Sequence, residues 1–364
     1  MSHVFAAFTK GNTHFESSKH NNASATNELP PVSIIIACYN EESFIRSKLT
    51  EILSKANWIE GSELIVVSTG STDTTDQILR EFDSNPNVHL CLIPERISKI
   101  DAVNYAVNIC RHKLLVFSDC RQKMKVGSIQ RLVSKFQDPT IGTVAASLLD
   151  TKNDESPSFF RKMYHNMALN QSKVGSCFNV YGALYAQRKS VYRKIPTDLL
   201  FDDLFVVVST ISQGMRLVQE KEAVIYDVSF YSYYKPERVQ RLTRGLLLFL
   251  FNHKKLIFSL PPTVLFRFLM YKYLKLLMPF LLLAVFLLTA LLSYMSGFFG
   301  AYFGILFVVL AVLFIFNLTR NFLVVFIQIN WYFFLATINF VFFNKRSKKW
   351  KKLNTANENP ATLL

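Results

Sequence analysis

The chain has 364 residues, room for one or two domains, and its 41 Lys and Arg against 26 Asp and Glu give a formal charge of +15. Such a charge would suit nucleic acid, but no nucleic-acid-binding motif is present, half the residues are hydrophobic and 33 are Phe, so nucleic acid is excluded as a partner. The apolar residues gather at the C-terminal end with Lys and Arg beside them, the pattern of a membrane protein with basic cytoplasmic flanks.

In chain order, residues 1–29 are polar, rich in Ser, Asn and His, and lack the apolar core of a signal peptide, so a disordered tail is expected there. The run Val32–Cys38 reads as a buried strand that breaks into Tyr39-Asn40-Glu41-Glu42. Ile45, Leu49, Ile52, Leu53 and Ala56 follow at helical spacing. Leu64–Val67 is a second strand, ending in the turn Ser68-Thr69-Gly70-Ser71-Thr72-Asp73 before a helix bearing Ile78, Leu79 and Phe82. Backbone N–H groups at such a helix start suit a phosphate, and an ordinary capped turn has the same sequence. Val88–Ile93 gives a third strand. Lys99 then opens a helix with Ile100, Val103, Ala106 and Val107 on one face and Asn104 apart from it.

The run after Lys113 is apolar for four residues and ends abruptly at Asp119-Cys120-Arg121. Ligands in open α/β sheets sit beyond the carboxyl ends of the strands, so an acid there faces whatever is bound, unless it only caps the next helix. A helix marked by Ile129, Leu132, Val133 and Phe136 and a strand over 141–147 complete the alternation, which predicts a doubly wound α/β sheet. Phe159–Gln171 reads as an amphipathic helix near the membrane surface, with Phe160, Met163, Met167 and Asn170 on one side and His165 at the surface. Residues 217–228 read as strands and 237–250 as a helix. The five cysteines, Cys38, Cys91, Cys110, Cys120 and Cys177, form no C-x-x-C pair and have no His at metal-ligand spacing, as expected of reduced thiols in a cytosolic domain.

Taken together, the residues from Pro31 to about Arg244 resemble the family 2 glycosyltransferases, inverting enzymes of the GT-A fold that use nucleotide-sugars. The resemblance rests on Tyr39-Asn40-Glu41 after the first strand, Gly70-Ser71-Thr72-Asp73, Lys99 with Asn104, the stretch Gly182–Ala186 and the paired acids Asp202-Asp203. It implies Asp203 as the base that takes the acceptor proton, supported by Asp202. It also implies a nucleotide-sugar pocket lined by Tyr39, Asn40, Glu41, Thr69, Asp73, Lys99, Asp119, Arg121 and Arg241, with Asp119 as ligand to Mg2+ or Mn2+. Three positions depart from the family. Ser68-Thr69 stands where acids are common, the D-x-D motif reads Asp119-Cys120-Arg121, and Q-x-x-R-W reads Arg238-Val-Gln-Arg241-Leu242 with Gly245 keeping the register. Arg121 would then contact a phosphate directly or remain a surface charge, and loss of the Gln and Trp favours single-sugar transfer.

Further along, Leu276 to Thr319 carries no charge, enough for two crossings with Gly297 and Gly300 at the turn. Asn321 to Asn344 is a third uncharged stretch. The basic residues Lys272 and Lys275 before the first span and Lys345 to Lys352 after the last should lie on one side. Two spans plus a re-entrant or interfacial third helix are therefore expected. The expected organisation is a tail at 1–29, a GT-A catalytic domain at 30–235, interfacial helices at 236–273, membrane helices at 274–344 and a basic cytoplasmic tail at 345–364. The expected protein is integral to the membrane with its catalytic domain cytoplasmic, taking a nucleotide-sugar donor and a lipid-linked or glycan acceptor. A catalytically inactive membrane subunit and a nucleotidyltransferase on the same fold are the alternatives.

Overall fold

A computed structural model describes residues 29–150, 159–227, 236–315 and 317–343; almost all of the expected N-terminal tail and the whole basic C-terminal tail lie outside them. Among the described residues, β1 (Ser33–Cys38), β2 (Glu63–Thr69), β3 (Val88–Ile93), β4 (Leu114–Ser118), β5 (Lys123–Met124), β6 (Ile141–Asp150), β7 (Leu184–Arg188) and β8 (Arg216–Asp227) form one sheet in the order β3-β2-β1-β4-β7-β6-β8-β5. The first half is parallel, as β1 pairs with β2 and β4, and β2 with β3. The sheet becomes mixed at β7, which runs antiparallel to both β4 and β6. The expected mixed α/β sheet is present.

Strand side chains alternate in period 2, and both faces are buried, which is why the parallel strands read as unbroken apolar runs. Ile35, Ile65, Val67, Leu115 and Phe117 belong to one core with Val103 and Ala106 of α3 (Lys99–Ile109) and Leu204 and Val208 of α6 (Asp202–Ser212). Ile34, Ile36, Leu64, Val66 and Val116 belong to the other, with Ile45, Leu49 and Ile52 of α1 (Ile45–Leu53) and Ile129 and Leu132 of α4 (Ser128–Ser134). Each such side chain contributes about 1.5–3 kcal/mol through burial, so a one-residue slip in β1 would exchange its two apolar sets between faces.

Two placements differ from the sequence expectation. Asn104, expected off the packed face of α3, is buried. Its Nδ2 donates to Ile195 O at 2.8 Å, and its Oδ1 accepts from Ile195 N at 2.9 Å and from the Tyr192 hydroxyl at 2.6 Å, fastening the chain after β7 to α3. A buried amide with its polar atoms paired can sit in a core that periodicity reserves for apolar groups. In α5 (Phe159–Val174), Arg161, Ala168 and Ser172 are buried while Met163 and Met167 are partly exposed. His165 is half-buried rather than at the surface, its Nδ1 3.1 Å from Gln219 Nε2 of β8. Packing against the polar edge of β8 turned this side of α5 inward.

Among the described residues there follow α7 (Pro236–Asn252), α8 (Lys254–Phe258), α9 (Pro262–Lys272), α10 (Leu274–Met295), α11 (Phe299–Ile315) and α12 (Asn317–Phe343). The breaks fall at His253 and Pro261, with Pro262 at the first helical position of α9. Gly297, with φ of 73°, turns the chain between α10 and α11. Among the described residues two helices are long and apolar enough to cross a membrane, Leu274–Met295 and Leu323–Phe342. The third uncharged stretch, expected to be the lesser one, thus supplies a full-length helix, while α11 has 17 residues.

Helix α7 packs over Phe201, the residue before α6, at Gly245. A Cβ there would lie inside the van der Waals envelope of Phe201 Cδ2 and Cε2. Replacing an exposed helix glycine by alanine ordinarily stabilises by about 0.5–1 kcal/mol. Here the opposite sign is expected: Gly245→Ala should destabilise by about 1–3 kcal/mol, measured by denaturant unfolding in detergent, and Phe201→Leu in the same chain should restore most of the loss.

Candidate active site

The site forms at the carboxyl ends of the parallel strands, where β1 lies between β2 and β4 and the connections diverge to opposite faces. The loops after β1 and β2 interlock. Asn40, held at φ of 50°, a conformation Asn tolerates better than most residues, accepts from Thr72 N through Oδ1 at 2.8 Å and donates from Nδ2 to Thr72 Oγ1 at 3.1 Å. Asp73 Oδ1 accepts from Thr75 N at 3.0 Å at the start of α2 (Thr75–Arg80), and its Oδ2 accepts from Glu42 N at 3.3 Å. Glu42 in turn accepts from Thr74 N and Oγ1 at 3.0 and 2.7 Å. Asn40 and Asp73 therefore hold the two loops at a fixed separation.

Beside this clamp, Thr69 ends β2 with its side chain buried, and its Oγ1 accepts from Arg96 NH1 at 3.0 Å. The Arg96 guanidinium lies 3.4 Å from the centroid of the Tyr39 ring, a cation–π contact. Sequence reasoning passed over Arg96. The signal was available, because it stands just past β3, the third parallel strand, at the end where Asp119 drew notice.

On the other side, Lys99 at the start of α3 donates to Asp119 Oδ1 at 2.6 Å. Asp202 and Asp203 open α6 close enough for their charges to act on the same ammonium. Burial would lower the Lys99 pKa, yet Asp119, Asp202 and Asp203 together hold it above the usual lysine value. Asp203 behaves in the opposite sense to an ordinary helix-capping acid. Burial and then the neighbouring Asp202 raise its carboxyl to about 8, against the pull of Lys99 and of a hydrogen bond from the Gly182 backbone. The helix dipole favours an anion at that position by about 0.3–1 kcal/mol, too little to offset lost hydration beside a second carboxylate. Gly182 is required by closeness, since a Cβ there would be 2.9 Å from Asp203 Oδ1.

A cleft at this point is lined by Lys99, Phe117, Asp119, Gly182, Tyr185 and Asp202, among others. Its wall is stiffened by Phe117 stacked on Tyr185 with ring centroids 4.5 Å apart. The structure thus brings Lys99, Asp119, Asp202 and Asp203 together, and groups Tyr39, Asn40, Thr69 and Asp73 on the neighbouring loops. Neither Asp73 nor Asp203 is among the residues lining the cleft around Asp119, and Asp203 stands behind it, next to Asp202 and Gly182. Glu41 and Arg121 face each other, Arg121 Nε donating to the two Glu41 oxygens at 3.1 and 2.9 Å. Arg241 of α7 lies over the Phe201 ring at 5.8 Å, next in the chain to Asp202.

Among the described residues no group of three or more His, Cys, Asp or Glu could hold a metal ion. Asp119 offers hard oxygens, one of them paired with Lys99, which suits Mg2+ or Mn2+ when phosphate oxygens and water complete the shell. The residues fit a cation carried in with a diphosphate, not a metal caged by the protein alone.

Residues 33–196 match the family described as Glycosyl transferase family 2. Over 130 residues, 35% of this chain and 71% of the relative, the sequence is 25% identical to an N-acetylglucosaminyltransferase of Bradyrhizobium elkanii. Over 208 residues it is 20% identical to the poly-beta-1,6-N-acetyl-D-glucosamine synthase of Staphylococcus aureus, with 55% of this chain and 50% of that protein covered. The chain therefore spans about half the length of the synthase. In fold it is similar to a mannosyltransferase from Pyrobaculum calidifontis solved with GDP-Man and Mn2+, at a TM-score of 0.68 and 21% identity, over 88% of this chain and 89% of that one.

Proposed function

We propose, from the premise that this chain is a family 2 glycosyltransferase, that it transfers a sugar with inversion from a nucleoside-diphosphate sugar to a hydroxyl of a lipid-linked or polysaccharide acceptor at the cytoplasmic face of a membrane. The observation that carries this reading is the cluster in which Lys99 clasps Asp119 beside Asp202 and Asp203, beyond the carboxyl ends of the parallel strands.

In the transfer, the acceptor oxygen bonds to the anomeric carbon as that carbon's bond to the diphosphate oxygen breaks on the opposite face. The acceptor proton passes to a carboxylate oxygen of Asp203. A base with its pKa near the working pH does this best, and burial beside Asp202 gives Asp203 that character. Lys99 supplies fixed positive charge towards the departing diphosphate, as does Arg241 from α7, in a site where such charges cost little reorganisation. Tyr39, Asn40, Glu41, Thr69, Asp73 and Arg121 belong to the nucleotide end. Arg121, paired to Glu41, acts there through that pair and can release its guanidinium to a phosphate. Asp119 would hold a Mg2+ or Mn2+ ion on the donor diphosphate, which when bound neutralises charge on the leaving group; the Mn2+ bound by the Pyrobaculum calidifontis protein supports this. The apolar helices Leu274–Met295 and Leu323–Phe342 support a membrane anchor. The assembled cluster of Lys99, Asp119, Asp202 and Asp203 supports the enzyme over an inactive subunit.

The test is nucleoside diphosphate release by the detergent-purified protein across a panel of UDP- and GDP-sugars with native lipid extract. Release from one donor is expected to rise at least about tenfold on adding Mn2+. No release from any donor would discard the enzyme in favour of a binding subunit.

A further inference from the structure

Two lysines at the junction of α9 and α10 are not used by the proposed transfer. Lys272 ends α9 and Lys275 stands in the first turn of α10. Lys272 Nζ donates to Asn179 Oδ1 at 2.8 Å and lies 5.2 Å from the Tyr271 ring centroid, while Lys275 Nζ lies 5.8 Å from that of Phe333. Among the described residues neither ammonium forms an ion pair with a carboxylate, and both side chains are only partly exposed. Like charges three residues apart, among aromatic rings and without a counter-ion, are costly to keep. Burial and then the charge of Lys275 push Lys272 down to about 7, so the pair lacks an anion rather than being matched by one.

The position of the pair says which anion. Asp203 is close enough for its charge to act on Lys272. One loop joins the two places: Asn179 holds Lys272, and Gly182, three residues on, holds Asp203 through its backbone and leaves room for the carboxylate. Asn179 is itself fixed by the Tyr271 hydroxyl, to which its Nδ2 donates, and Phe178 packs edge-on against Phe268 and beside Tyr271. Beyond Lys275, α10 exposes Leu277, Leu281 and Leu282.

We propose that Lys272 and Lys275 seat the phosphate of a lipid phosphate monoester that serves as acceptor, its apolar chain lying along α10 and its P–OH, the reacting hydroxyl, turned towards Asp203, which takes the proton as that oxygen bonds to the anomeric carbon and the donor diphosphate leaves. This rests on the reading of the chain as a membrane-bound glycosyltransferase and deepens it by naming the acceptor class. Charge-assisted hydrogen bonds to phosphate from two partly desolvated ammoniums would replace the missing counter-ion, and a neutral glycan end would leave both without one.

The test uses the full chain in neutral detergent, with farnesyl phosphate as probe and farnesol, phosphatidic acid and inorganic phosphate as comparisons, binding being read by calorimetry. Farnesyl phosphate should bind, and Lys272→Met with Lys275→Met should weaken it at least about tenfold. Lys272→Arg with Lys275→Arg should keep most of the affinity and shows that the charge, not the fold, was lost. UDP and GDP affinities should be unchanged in both variants. Equal binding of farnesyl phosphate by wild type and the Met variant, or of farnesol and farnesyl phosphate by wild type, overturns the proposal. So does phosphatidic acid competing equally well, which marks a general headgroup site, or inorganic phosphate doing so, which marks a free-phosphate site. A protein that turns over a sugar nucleotide but ignores farnesyl phosphate refutes the acceptor class alone, whereas one that binds farnesyl phosphate but no nucleotide refutes the glycosyltransferase reading.

Discussion

Asp203→Asn is expected to slow sugar transfer by about two to four orders of magnitude, the range of a positioned general base, with nucleotide affinity little changed. The amide keeps the shape of the carboxyl and can still accept from the Gly182 backbone, but it cannot take a proton from the acceptor hydroxyl. Stability separates this from unfolding, and its sign follows from the raised pKa. The folded protein keeps the Asp203 proton up to about pH 8, whereas the unfolded chain releases it near 3.8. Between those values the folded state binds more protons, so stability contributed by this group falls as pH rises through 8. Asn does not titrate, so Asp203→Asn should be no less stable than wild type at pH 8. Single-turnover transfer and thermal unfolding of the same preparation check both statements. A variant that retains a tenth or more of wild-type transfer would remove Asp203 from the role of base.

Lys99→Met is expected to move the pH dependence of transfer as well as its size. Asp203 must be ionised to act, so kcat/KM should rise with pH through a value near 8, the pKa in the free enzyme. Lys99 is the cation that lowers the Asp203 pKa; without it the rising limb moves to higher pH. A displacement of one pH unit would cost about tenfold at pH 7, beyond any loss from the missing charge on the diphosphate. Lys99→Arg keeps the charge and should leave the limb near its original place. The measurement is kcat/KM from pH 6 to 9.5 for the three proteins. An unchanged limb in Lys99→Met would show that Lys99 serves the donor and not the base.

Much of the fold was legible because burial on both faces leaves a plain trace. The strands of the parallel half read as unbroken apolar runs, and each ends abruptly in polar residues that the fold gathers at one edge. Asp119 was found in this way, by composition changing at a strand end, whereas Thr69 came only with the family resemblance. The same rule applied to β3 would have found Arg96. The short strand Lys123–Met124 has no such trace, since two residues carry no periodicity.

What the chain order alone determined was the class of fold, the residue types at the strand ends and the apolar C-terminal helices, because each is a local property of a run of residues. What only tertiary structure decided was who meets whom. Asp73 braces a loop clamp, Glu41 and Arg121 answer each other, Asn104 serves a core amide pair, and Lys272 lacks an ion-pair partner near Asp203. The physical reason is range: an apolar face is dictated by neighbours three or four positions away, whereas a hydrogen bond or a raised pKa depends on groups that folding brings together across many tens of residues. Lys99 reaches Asp119 across 20 positions and Asn179 reaches Lys272 across 93, separations at which no sequence pattern records the contact.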